Sequence, residues 1–411
     1  MSSRPLLRLR RGEERRLRAG HLWIFSNEID TSQTPLTSFE SGQLVTVQDQ
    51  RGQALGTAYL NPSTLIAARL LSRQDETIDV AWFAAKLRRA LSWRERLFRS
   101  PHYRWVYGES DGLPGLVLDR FDDVVVGQLT TAGMSLQQQI IEEAVRRVLK
   151  PRVLLWKNDG GARALEGLPE EVHAAWGEPP ERVEVVESAA DGGQVVFETE
   201  LGGGQKTGWF YDQAFNRSQL ARFMKAGARV LDVCCYAGGW AATTATLGAS
   251  RIDCVDASAS ALERAQANVA RQAYPAESAA FFDHQFFAHR GDAFEVLSQL
   301  AEAGERYDVV IVDPPAFIKR RKDIPQGEAA YRKLNQLALR VLADEGLLIS
   351  CSCSYHLAID SLQTAIQSAA RHVDRSVQIV YQGMQSPDHP VHPAIPETRY
   401  LKAFFCRVTR S

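Results

Sequence analysis

Apolar and polar positions alternate along residues 44–72 in short runs cut by turn residues. LVTVQD runs into Arg51-Gly52, ALGTAYL follows, and IAARLLS begins after Asn61-Pro62-Ser63. A period of two puts alternate side chains on one face, so these runs predict strands joined by tight turns, and residues 1–72 read as a small β-barrel-like domain. The spacing then changes: Ile78, Phe83, Leu87, Leu91 and Leu97 fall mostly on one side of a helix over 77–99. GLVLDRF (115–121), VVVGQLTT (124–131), a helix near 135–149 and RVLLWKN (152–158) form a strand-strand-helix-strand unit. Residues 159–182, rich in Gly, Pro and Glu, read as a loop, before VEVVES (183–188) and QVVFETE (194–200) resume strand character.

Beyond about residue 215 the pattern becomes continuous apolar strands alternating with amphipathic helices. RVLDVCC (229–235), RIDCVDAS (251–258), FFAHRGDAF (286–294), YDVVIVDPP (307–315) and GLLISCSCS (346–354) each lead into a helical segment, and YLKAFFCRV (400–408) closes the chain. Strands without alternation are buried on both faces, which predicts a doubly wound, mainly parallel sheet. The fold class is therefore α/β, with a Rossmann-like C-terminal domain over 188–411. It follows the strand-rich segment 1–72 and a central α+β segment, 73–187.

Composition changes this picture little. At 411 residues the chain exceeds what one core supports, and 45% apolar with 24% charged residues is ordinary for a soluble protein. No apolar run is long enough to span a bilayer, and the basic start MSSRPLLRLRRGEERRLRAG lacks a secretory pattern, so a cytoplasmic location without membrane partners is expected. The six cysteines, Cys234, Cys235, Cys254, Cys351, Cys353 and Cys406, fit no zinc spacing, and no metal is expected. A net charge of −1 gives no support to a nucleic-acid partner, but its distribution does. Seven arginines within residues 1–20 and the stretch KLRRALSWRERLFR (86–99) can each track a phosphate backbone; a solvated arm and a surface helix are the plainer reading. The sequence leaves the oligomeric state, including a homodimer, open.

Ligands of open α/β sheets sit at the carboxyl ends of the strands, and the motifs fall there. The first strand ends in LDVCCYAGGW, where Tyr236 precedes Gly238 and Gly239, which allow a tight turn and close approach to a ligand. This is not G-x-G-x-x-G, which argues against a dinucleotide. Asp256 and Ala257 end the second strand, where a carboxylate suits ribose hydroxyls. At the third, Asp292 can accept from an adenine amino group, with Ala293 and Phe294 flanking the ring. Each aspartate alone is as readily a helix N-cap; three in phase, followed by Asp313-Pro314-Pro315, point to a nucleoside-binding methyltransferase.

The fifth strand ends in Ser350-Cys351-Ser352-Cys353-Ser354. Carbon 5 of a pyrimidine is barely nucleophilic, and a thiolate added to carbon 6 makes it enamine-like and able to accept a methyl group. Alternation points Cys351 and Cys353 the same way, so periodicity does not choose between them; nearness to the strand end favours Cys353.

The run from Gln205-Lys206-Thr207 to Gln213, then LDVCCYAGGW, VDAS, GDAF, DPPAF and SCS, resembles the bacterial large-subunit (23S) ribosomal RNA cytosine-5 methyltransferases of the RlmI type. HLWIFSNEI (21–29), GESDGLPGLVLDRF (108–121) and the C-terminal DHPV…YLKAFFCRV match that pattern too, so the resemblance covers nearly the whole chain. It implies a PUA domain, a central α+β domain and a class I methyltransferase domain. S-adenosylmethionine would be the cofactor, S-adenosylhomocysteine the product and large-subunit ribosomal RNA the partner. Cys353 would be the nucleophile and Asp313 the contact to the cytosine edge. The KTGWFYDQ segment, with Lys206, Asp212 and Gln213, would close over the cofactor. Ala214 and Ala316 stand where the family commonly has Arg and Lys.

Two other readings remain. In an amino-group methyltransferase, Asp313 and the Pro314 carbonyl accept from an exocyclic amine while Phe317 stacks on the base, and no cysteine is needed. A non-catalytic RNA-binding or assembly factor would keep the fold alone. The Ser-Cys-Ser motif and the whole-chain resemblance favour carbon 5.

Overall fold

The computed structural model describes residues 4–188, 192–201, 207–272 and 285–410. The chain forms two compact units: Met1–Val183 with Glu200–Tyr211 and Asp388–Thr398, and Glu184–Thr199 with Asp212–Pro387 and Arg399–Ser411.

The first unit carries two sheets. The strands Gln43–Gln48, Ala54–Leu60 and Ile66–Ser72 form the antiparallel run that alternation predicts, and Leu6–Arg8 and Trp23–Phe25 complete a five-stranded sheet over a core of Leu7, Ile24, Val45, Val47 and Leu60. The arginine-rich start is therefore not a solvated arm. Leu6–Arg8 pairs in parallel with Gln43–Gln48 because Leu7 and Leu9 bury, and three of its arginines make ion pairs: Arg4 with Asp75, Arg16 with Glu28 and Arg18 with Asp49.

The second sheet has the order Glu171–Trp176, Val153–Asn158, Val124–Leu129, Leu116–Phe121, His102–Tyr107. The helix Val80–Leu97 and the helix Gln138–Val148 share its core, with Phe83, Leu87, Trp105, Leu118 and Trp156 among the buried side chains. Two strands here, His102–Tyr107 and Glu171–Trp176, escape the hydropathy pattern. Glu171–Trp176 lies inside the segment read as a loop; it is an edge strand with no fully buried side chain, so burial imposes no strict alternation on it.

In the second unit, seven strands are numbered here in chain order: β1 Arg229–Val233, β2 Arg251–Asp256, β3 Gln285–Arg290, β4 Tyr307–Val312, β5 Leu342–Ser352, β6 Arg375–Gly383 and β7 Lys402–Arg410. Their order across the sheet is β3-β2-β1-β4-β5-β7-β6. The pairings among β1 to β5 are parallel, and β7 runs antiparallel to both of its neighbours. This is the doubly wound sheet that continuous apolar strands predict. The chain winds outward from β1 to β3, then returns to place β4 on the other side of β1. That reversal opens a crevice at the carboxyl ends of β1 and β4, where the motifs converge.

Candidate active site

The turn after β1 is strained and firmly held. Cys234 (φ 63°) and Tyr236 (φ 50°) occupy the left-handed region that L-residues avoid, two residues apart. Bonds to the neighbouring strand end hold them: the Cys234 and Cys235 N–H groups donate to the Val255 carbonyl (2.8 and 3.1 Å), and the Tyr236 N–H to Asp256 Oδ2 (3.0 Å). Gly238 (φ 73°) starts the helix Gly239–Thr246, and a Cβ there would lie 2.8 Å from Ala265 on the next helix. Conformation and packing both require glycine.

Asp256 accepts the Tyr236 N–H on one oxygen and the Ser258 N–H on the other (2.9 Å), leaving lone pairs for hydroxyl donors. Asp292 is the N-cap of the helix Ala293–Glu302, accepting from Phe294 and Glu295 N–H. Its helix-capping reading is thus realised, and Ala293 opens that helix. Ala257 is exposed beyond β2. Lys206 lies outside the described residues.

On the β4 side, Asp313 Oδ2 accepts from Gln213 Nε2 (2.9 Å) and Trp240 Nε1 (3.1 Å). Asn216 orients Gln213 by donating to its Oε1 (2.7 Å), and Asp212 accepts from the Tyr400 hydroxyl. Burial lifts the Asp313 carboxyl to about 6, against the pull of Trp240, Arg217 and Gln213. Arg217, paired with Glu187 at 2.9 and 2.5 Å, is a buried cation acting on Asp212 and Asp313. It supplies positive charge three residues beyond Ala214.

The β5 end explains the Ser-Cys-Ser motif. Ser352 and Ser354 are buried and tied to the Tyr331 hydroxyl at 2.8 and 2.9 Å, and Ser354 also accepts the Ile318 N–H. The two serines clamp the chain from behind, so Cys353 between them is partly exposed, its Sγ 3.9 Å from the Pro314 carbonyl. Cys351 is fully buried, and burial pushes its thiol well up. β5 ends at Ser352, so the alternation that equated the two cysteines stops short of Cys353. Phe317 packs between Phe294 (centroids 6.1 Å) and Tyr331 (4.8 Å).

Lys402 was missed, although a lone lysine within the apolar run YLKAFFC is a signal. It opens β7 opposite Ser352, only 6% exposed, and its Nζ donates to the Ser354 (2.5 Å) and Leu357 (2.9 Å) carbonyls. Burial pushes its ammonium down to about 8, while charge at Cys353 pulls the other way. Trp240 and Tyr331 were missed because their partners lie 73 and more than 20 residues away.

The site favours a cationic ligand. Asp232 is fully buried, its Oδ2 accepts the Ala241 N–H, and its Oδ1 has no hydrogen-bond partner among the described residues. Burial, then the Asp313 and Asp256 charges, raise its pKa to about 8. Three carboxyls crowding one crevice repel each other, and a positively charged ligand relieves that repulsion. A nucleoside bearing a sulfonium and an ammonium, with ribose hydroxyls for Asp256, fits.

Comparison with known proteins agrees. Residues 7–73 match a PUA-like domain, and residues 169–407 match the S-adenosylmethionine-dependent methyltransferase family. Ribosomal RNA large subunit methyltransferase I of Klebsiella pneumoniae (strain 342) is 33% identical over 409 residues, covering 98% of each chain. The chain belongs to the ribosomal RNA large subunit methyltransferase I family. The family member of Enterobacter sp. (strain 638) is 32% identical over 404 residues, covering 97% of this chain and 98% of that one. A SAM-dependent methyltransferase structure from Streptococcus mutans shares the fold, with a TM-score of 0.78 at 21% identity over 98% of this chain and 100% of that one. A methyltransferase designated SMU.776, crystallised with S-adenosylhomocysteine, gives 0.79 at 20% identity over the same shares. S-adenosylmethionine is the cofactor of this family member. Among the described residues no cluster of His, Cys, Asp and Glu is arranged for a metal, and no helix is long and apolar enough to cross a membrane.

Proposed function

We propose that this protein methylates carbon 5 of a cytosine in large-subunit ribosomal RNA through a covalent adduct at Cys353. The observation that carries the reading is the placement of Cys353: a partly exposed thiol held by two clamped serines beside Asp313-Pro314, with a buried lysine behind it. The substrate class follows the relatives' names, and the PUA-like domain suits an RNA partner.

When bound, S-adenosylmethionine supplies an electrophilic methyl group. The Cys353 thiolate adds to carbon 6 of cytosine, and Asp313 donates a proton to ring nitrogen 3, taking up the electron density that addition pushes into the ring. A carboxyl lifted to about 6 is well placed to give and take a proton near neutrality. The enamine so formed takes the methyl at carbon 5. Loss of the carbon 5 proton to a base then drives out the thiolate, nitrogen 3 returns its proton to Asp313, and the aromatic ring is restored. Lys402 acts as a positioning residue: it holds the carbonyls that follow Cys353, and its ammonium favours the thiolate by the same attraction that the thiolate exerts on it.

The amino-group reading needs Phe317 free to stack on a base, and its packing between Phe294 and Tyr331 weighs against that. The test is to incubate the purified protein and its Cys353→Ala variant with unmodified large-subunit RNA and labelled cofactor, then map the product. We expect 5-methylcytosine from the native protein and none from the variant. A methyl group on an exocyclic nitrogen, or full activity of the variant, would overturn the proposal.

A further inference from the structure

The helix Val80–Leu97 has two faces with different contents. Phe83, Leu87, Ala90, Leu91 and Arg94 are buried. On the other side Trp82, Lys86, Arg89, Trp93 and Arg96 recur at intervals of four, three, four and three residues, which lines them up along one stripe. Aromatic and cationic groups alternate within it. The Lys86 ammonium lies 5.1 Å from the Trp82 ring and the Arg96 guanidinium 5.6 Å from Trp93.

Lys86, Arg89, Trp93 and Arg96 of this stripe wall a groove of about 690 Å³ inside the first unit, with Arg73 and His392 also in the lining. Among the described residues, Arg73, Lys86, Arg89 and Arg96 form no ion pair, whereas the inward-facing Arg94 is matched by Asp111 at 2.6 and 2.7 Å. The other lining carboxylate, Glu109, accepts from Trp23 Nε1 (3.0 Å). Trp93 is 47% exposed, an apolar area left in water at the groove.

We propose that this groove binds an unpaired RNA strand, its phosphates on Arg73, Lys86, Arg89 and Arg96 and a base stacked on Trp93. The inference goes beyond methyl transfer, since Cys353 and the cofactor take no part in it. Like charges face one another: after burial, Arg89 lowers the Lys86 ammonium, with Glu76 opposing it, and Arg73 lowers His392, with Glu109 opposing it, so a polyanion adds charge to a groove in which cations outnumber carboxylates. Lys86 to Arg96 spans about 15 Å of helix axis, the length of roughly four stacked nucleotides. A duplex offers no open base face to an indole, so the exposed Trp93 selects for single strands.

The test uses the full chain with a fluorescein-labelled, unstructured RNA 12-mer and the corresponding 12-base-pair duplex, read by anisotropy over a potassium chloride series. We expect the single strand to bind more tightly than the duplex. Trp93→Ala should weaken it about tenfold, and Arg89→Glu and Arg96→Glu by a similar factor or more. Each lost phosphate contact should reduce the slope of log affinity against log salt by about 0.7. Arg88→Glu, on the same helix but outside the groove lining, makes the same charge change and should cost less than threefold. Retained binding of S-adenosylhomocysteine by each variant certifies folding and separates this test from that of the cysteine chemistry. Equal effects of the substitutions at 88, 89 and 96, an unaffected Trp93→Ala, or a preference for duplex would each overturn the proposal.

Discussion

The two sides of the crevice are built differently. At the ends of β1, β2 and β3 the carboxylates are met by the backbone: Asp232 by the Ala241 N–H, Asp256 by Tyr236 and Ser258, Asp292 by Phe294 and Glu295. At the ends of β4 and β5 the functional groups are met mainly by side chains: Asp313 by Gln213 and Trp240, Ser352 and Ser354 by Tyr331, and the carbonyls past Cys353 by Lys402. Backbone donors near a strand end are fixed by the fold and suit a constant ligand. Side-chain partners can tune a pKa and so suit chemistry. In this account the first side holds the cofactor and the second reacts.

The largest effect that sharpens this contrast is expected from Asp313→Asn. It should lower the rate of methyl transfer by about a hundredfold to ten-thousandfold, measured by labelled methyl incorporation, and weaken calorimetric cofactor affinity far less, by about threefold through the lost charge. Asp256→Ala should do the reverse, weakening S-adenosylhomocysteine by about tenfold to a hundredfold through lost hydroxyl bonds while Cys353 alkylates at its native rate. If either variant lost both properties equally, the division of labour would fail.

Lys402→Met should come next, at about a tenfold lower kcat. The pH at which Cys353 becomes half-reactive toward iodoacetamide, followed by peptide mass spectrometry, should move up, and Lys402→Arg should restore part of the shift. A purely structural lysine would leave that pH profile where it was. The smallest effect concerns Asp232. Its pKa is raised from an ordinary 3.8 to about 8, so the folded protein holds a proton that the unfolded chain has released, and stability is lost as pH rises between those values. Between pH 6.5 and 8 this contribution amounts to about 2 kcal/mol, partly offset near pH 8 by Lys402, whose ammonium burial lowers to about 8. The thermal unfolding temperature should fall more steeply over that interval in the native protein than in Asp232→Asn.

The same contrast decides what was legible in the chain. The sheet was readable because its strands are buried on both faces, and the strand-end positions of Asp256, Asp292 and Asp313 were readable because a strand end is a local event. Gln213, Trp240, Tyr331 and Lys402 reach their partners from 21 to 100 residues away, and local periodicity carries no trace of such contacts. Charge misled in both directions. Arg4, Arg16 and Arg18 at the start looked available but are held in ion pairs, while Lys86, Arg89 and Arg96 stand along an open groove. The edge strand Glu171–Trp176 stayed hidden because none of its side chains is fully buried.

The central claim is the covalent bond between Cys353 and carbon 6 of cytosine. A ribosomal RNA fragment carrying 5-fluorocytidine at the methylated position tests it directly, because fluorine at carbon 5 does not leave as a proton does and the adduct cannot collapse. In the presence of S-adenosylmethionine we predict a denaturant-resistant protein–RNA complex whose cross-linked peptide contains Cys353, and its absence from Cys353→Ala. A native protein that methylates the unsubstituted fragment yet forms no such complex, or a complex that persists in the variant, would contradict the account.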